Sequence, residues 1–157
     1  STTEQEWGFK TVEVIGHLLA GDWRATPQWD ASERYLWPVP INSSYQHLDV
    51  VGWEVRGNDV ERMYPERSIV IGVPFEQLNR LPINGERVII CRRQGSAYEC
   101  TLREYRVDSN GNASLWSLSD RLIHQKPLPY GKHGSKSKKV SITYLVIGSF
   151  RPEPRLS

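Results

Sequence analysis

The sequence predicts a mostly-β fold, a twisted sheet or small partial barrel with little helix, and three observations carry that expectation. From residue 48 onward, short segments rich in β-branched and aromatic residues follow one another: "LDVVGWEVRG", "SIVIGV", "ERVIICRR", "AYECTLREYRV" and "ASLWSLS". Turn-forming residues separate them, among them Asn84-Gly85, Gln94-Gly95-Ser96 and Asp108-Ser109-Asn110-Gly111. Helical potential is confined to "PFEQLNRL", Pro74 to Leu81, which Pro82 closes after a turn or two. Short strands at such spacing form sandwiches or barrels rather than helix-covered sheets.

Before that run, "KTVEVIGHLLAG" and "YLWPVP" are short apolar stretches, and the polar "DWRATPQWDASER" between them is too irregular to assign. The last strand is "VSITYLVIGSF", Val140 to Phe150. A chain of 157 residues accommodates one domain with a real core. The pattern places that domain at residues 12–152, with a linker or tail at 1–11 and a short tail at 153–157. No internal repeat is visible.

Composition sets several classes aside. An apolar fraction of 38% with no run long enough for a bilayer predicts a soluble, cytoplasmic protein without a membrane partner. The start, "STTEQEWGFK", carries no secretory signal; it also lacks Met, so a preceding segment is expected. A net charge of +2 is not the footprint of a domain that grips a phosphate backbone by itself. The one concentrated basic run, Gly131 to Lys139, reads as a mobile surface loop. Cys91 and Cys100 flank a hairpin turn and could meet across two strands; a single pair without an export signal reads as two reduced thiols. His17, His47, His124 and His133 have no partner at i+3 or i+4, so no metal and no cofactor is expected. Phosphate loops, nucleophile elbows and an identifiable carboxylate pair are missing as well.

One stretch has chemistry in its pattern. In "EVRGNDVERMYPERSIVIG", Glu54 to Gly72, a Val-x-Gly turn leads through a few variable residues into an apolar strand. It resembles, without a gap, the nucleophile segment of the LexA-like peptidases, the self-cleaving bacterial and phage repressors and their UmuD relatives. That family reads approximately Val-x-Gly-Asp-Ser-Met-x-Pro, then Gly-Asp and a strand. Here Val55 and Gly57 match, Asn58 stands for Asp, Asp59 for the nucleophilic Ser and Val60 for Met, while Arg67-Ser68 occupies the Gly-Asp position. Upstream, "VIGHLLAGDW" resembles the cleavage region, with Ala20-Gly21 as the Ala-Gly pair. Downstream, "INGERVII" resembles the Asn-Gly-Asp-x-Val strand, and Thr101-Leu102-Arg103-Glu104 stands where the family's catalytic Lys strand reads Thr-Val-Lys-Arg.

The resemblance implies a LexA/signal-peptidase-like twisted sheet with neither member of the Ser-Lys dyad. In the family a neutral Lys takes the proton of the attacking Ser. Asp59 is a poor nucleophile toward an amide, and Arg103 stays protonated. Together they suit an ion pair in a retired site. The family also implies a homodimer, joined through the last strand at Ile142, Tyr144, Val146 and Gly148, on the expectation that this is an exposed apolar edge strand. It implies operator DNA bound through a helix-turn-helix upstream, and a protein antirepressor or a ligand in the old cleft. The expected role is therefore the dimerisation and regulatory domain of a transcription repressor. Three rivals stand beside it: an active peptidase, a UmuD-like partner-binding module without a DNA reader, and a nucleic-acid binder using "KHGSKSKK".

Overall fold

The computed structural model describes residues 6–57, 60, 63–118, 126–134 and 139–153. Nine strands among them form one mixed sheet: β1 (Trp7–Leu18), β2 (Tyr35–Asn42), β3 (Val51–Val55), β4 (Ile69–Pro74), β5 (Arg87–Gln94), β6 (Ala97–Val107), β7 (Asn112–Ser117), β8 (Leu128–Lys132) and β9 (Val140–Phe150). Their spatial order is β2-β1-β3-β4-β9-β5-β6-β7-β8, with β1 and β3 parallel and every other neighbour antiparallel. Three single 3₁₀ turns, at Ala31–Glu33, Ser43–Tyr45 and Phe75–Gln77, are the helical content of the described residues. The last lies in the segment where the sequence allowed a helical turn.

Alternating side chains divide the core into three parts. On β4, Ile69, Ile71 and Val73 point to one face, where they meet Val12 and Val14 of β1 and Val39 and Ile41 of β2. Val70 points to the other, toward Ile15, Trp53, Ile89, Cys100 and Leu102. A third cluster, Val88, Ile90, Tyr105, Ala113 and Leu115, fills the space between β5, β6 and β7. The second cluster draws on strands from both halves of the sheet, because the sheet curls around it. Beyond β1 the chain reaches β6: Leu19 N donates to Cys100 O at 3.1 Å, and Arg24 and Tyr98 exchange both backbone bonds at 2.8 and 2.7 Å. The sheet stops short of a barrel, and the gap between the end of β1 and β6 becomes a cleft. Gly16 lets the Trp53 ring lie directly against β1, since a Cβ there would stand 2.6 Å from that ring.

Three expectations need correction. β1 begins at Trp7, inside the segment assigned to a tail, because Trp7 to Lys10 pair with Val39 to Asn42. β8 falls in a stretch that the sequence left without a strand, and Gly131 and Lys132, the start of the basic run, belong to it rather than to a loop. Positions 135–138 of that run lie outside the described residues. The third correction is β9, which lies between β4 and β5 and bonds to both, so it is not an edge. A register shift opposite Ile89 and Ile90 also splits the four residues expected at a dimer contact. Ile142 packs with the third cluster, Tyr144 and Val146 with the second, and Gly148 is exposed. The true edges, β2 and β8, carry Pro38, Pro40 and Pro129, which remove donors and discourage strand addition.

Candidate functional site

The cleft at the unclosed seam has a volume of about 560 Å³ and is lined from one side by Leu18 to Gly21. β6 contributes Glu99, Thr101, Leu102 and Arg103, and Ser117 and Lys126 to Pro129 complete the far wall. Ala20 and Gly21 are the central residues of a β-turn closed by Asp22 N donating to Leu19 O at 3.4 Å. Gly21 has φ +82°, which suits the third position of a type II turn. The turn is held on β6 by Leu19 N and by Gly21 N, which donates to Glu99 Oε2 at 2.7 Å. Glu99 is a buried carboxylate, and its other oxygen accepts from Arg92 at 3.2 Å. A buried charge tied to a cation and a backbone amide is satisfied, and it fixes the turn's position.

A second set of bonds grips the turn from behind. His17 is buried; its Nε2 lies 2.6 Å from Asp22 Oδ2, and its Nδ1 lies 2.8 Å from both Trp29 Nε1 and Arg24 NH1. Indole and guanidinium groups only donate, so Nδ1 is unprotonated and Nε2–H donates to Asp22. Burial pushes the imidazole below its ordinary pKa, Arg56 and Arg24 reinforce that, and Asp22 opposes it. The Arg56 guanidinium also lies 5.0 Å from the Trp29 ring.

Arg103 lies in the same cleft as Ala20 and Gly21, although more than eighty positions separate them in sequence. Its NH1 donates to Leu115 O at 3.4 Å. Burial draws the guanidinium down from its ordinary pKa, Arg92 acts in the same sense and Glu99 against it. It remains a cation nonetheless. Asp59, and with it the expected ion pair to Arg103, lies outside the described residues. Gly57, the last described residue before it, has φ +75°, and a Cβ there would stand 2.7 Å from Leu19 Cδ1. On the return, Arg67 also has positive φ, +74°, while its N–H donates to Val55 O at 2.7 Å.

Glu99 escaped the sequence reading, and Thr101 entered it only as part of the Thr101-Leu102-Arg103-Glu104 stretch. The signal was there: Glu99, Thr101 and Arg103 alternate along β6 and so share one face. Thr101 also lines the cleft, and its buried Oγ1 has no hydrogen-bond partner among the described residues. Among the described residues, no group of three or more His, Cys, Asp or Glu could hold a metal ion, and no helix is long and apolar enough to cross a membrane. No protein-family model, curated protein or solved structure matches this chain. Function therefore rests on the chemistry of the cleft.

Proposed function

We propose that this chain is the assembly and regulatory domain of a LexA-like transcription repressor that has lost self-cleavage. The observation that carries the reading is the meeting of the Ala20-Gly21 turn and Arg103 in one cleft. In the LexA-like arrangement those two positions belong to the scissile bond and the general base. Arg67 supports it too: its left-handed backbone occupies a position where that family has Gly. A docked turn facing a permanent cation has no group to take a proton from a nucleophile, and Asp59 supplies no hydroxyl. The turn then behaves as a resident pseudo-substrate, and control passes to whatever displaces it, a protein antirepressor or a ligand. DNA reading falls to a segment outside this nearly neutral chain.

Incubation at about pH 9, where a lysine base would be favoured, tests this directly by intact mass. The natural chain stays whole, and the double variant Asp59→Ser with Arg103→Lys breaks between Ala20 and Gly21. Fragments from the natural chain would mean an active peptidase. A double variant that folds yet stays whole would remove the alignment with the LexA-like dyad.

A further inference from the structure

The hairpin of β5 and β6 sets Cys91 directly opposite Cys100. Its rungs run from Gln94 and Ala97 at the turn, through Arg93 with Tyr98 and Arg92 with Glu99, to the two cysteines. Antiparallel rungs alternate between those that exchange backbone bonds and those that do not. Arg93 N donates outward to Lys139 O, Tyr98 bonds outward to Arg24, and Cys100 O accepts outward from Leu19 N. The cysteine rung is therefore of the non-bonded kind, in which Cα atoms approach to about 4.5 Å. That separation lies inside the range a disulfide spans, about 4.4–6.8 Å.

Both sulfurs are free thiols; Cys100 is buried and Cys91 half-buried. The neighbouring Cys100 thiol draws Cys91 below its ordinary pKa, and Cys91 together with burial pushes Cys100 above its own. Both residues line a second opening of the curled sheet, a cleft of about 550 Å³ shared with Gln28, Trp53, Thr143 and Tyr144. A small reagent therefore has a way to the sulfurs that does not pass the Ala20-Gly21 turn.

We propose that Cys91 and Cys100 form a reversible dithiol–disulfide site, oxidised by a low-molecular-weight disulfide entering this second cleft. The Cys91 thiolate attacks one sulfur of the reagent, forming a mixed disulfide and expelling the first thiolate. Cys100, after giving up its proton, attacks the Cys91 sulfur, closes the intramolecular bond and expels the second thiolate. Two electrons and two protons leave the protein, and one disulfide becomes two thiols. The site touches the loop after β1 as well, because Cys100 Sγ lies 3.5 Å from Pro27 O and loses its proton on oxidation. This inference is independent of the role read for the first cleft.

The test equilibrates the whole chain with oxidised and reduced glutathione in varied ratio, then traps remaining thiols with iodoacetamide and measures intact mass. The expected product has lost two hydrogens, takes up no alkyl group and returns to two alkylatable thiols with dithiothreitol. The Cys100→Ser variant should stop at a glutathione adduct on Cys91. Two alkylated thiols under the most oxidising ratio, a lasting glutathione adduct on the natural chain, or a disulfide between chains would each overturn the proposal. Amide exchange at Leu19 and Trp29 should quicken in the oxidised form, and unchanged exchange would overturn the link to the loop.

Discussion

His17 is a neutral imidazole with both nitrogens committed, and this gives the fold a defined response to acid. Its folded pKa is depressed, so below the ordinary value of 6.5 the unfolded chain binds a proton that the folded chain does not. The stability it contributes is present above pH 6.5 and is lost as pH falls through the folded value. Urea unfolding followed from about pH 7.5 to about 5.5 should show a falling midpoint. His17→Gln should be less stable at the upper end, by about 1–3 kcal/mol, because Trp29 and Asp22 lose a well-placed partner. It should also show a flatter dependence across that range; an equal slope in both proteins would assign the effect elsewhere. Nothing local in the sequence announces this network. Asp22, Arg24 and Trp29 stand five, seven and twelve positions from His17, and only the return of the loop onto β1 joins them. A search for partners at helical spacing is blind to groups brought up by a returning loop.

Among the elements, hairpins were legible and neighbours across the sheet were not. The Gly-Ser turn between β5 and β6 and the Asp-Ser-Asn-Gly turn before β7 fix local pairing, and the observed β6 and β9 have the bounds the sequence suggested. β8 was hidden because Pro127 and Pro129 argue against a strand, although prolines fit an edge. β9 was misplaced for a different reason. Its apolar run "ITYLVIG" does not alternate, and an unbroken run marks a strand covered on both faces. In the candidate site the turn at Ala20-Gly21 was readable, whereas its attachment to Glu99 was not, since β6 meets it only after the sheet curls. That attachment makes a prediction. Glu99→Ala removes the acceptor of Gly21 N–H, and exchange of that amide should rise about tenfold, the equivalent of about 1.4 kcal/mol for one charged hydrogen bond. Exchange as slow as in the natural chain would mean that the backbone bonds at Leu19 and Arg24 hold the turn without help.

For the whole molecule, the fold class was plain from composition and turns, while the surface available for assembly became visible only with the strand order. With proline on both edges, association by extending the sheet is disfavoured, and the exposed face of the β1–β2 ribbon remains. There Trp7 is 64% exposed, Phe9 81% and Leu36 65%, on neighbouring strands, with Pro38 and Pro40 beside them. If the domain assembles with itself, this apolar stripe is the surface with most to gain from burial. Sedimentation across concentration should show a dimer for the natural chain and a monomer for Trp7→Ser with Phe9→Ser; dimers in both would place the contact elsewhere. The position of β9 has a further consequence, for the time at which the fold can exist. β4 and β5 are complete once residue 94 is made, yet each lacks a neighbour until residues 140–150 arrive to fill the space between them. On a ribosome the two halves of the sheet must wait with facing unpaired strands for the chain's last strand. Any product ending before Val140 is left with an open seam through its middle.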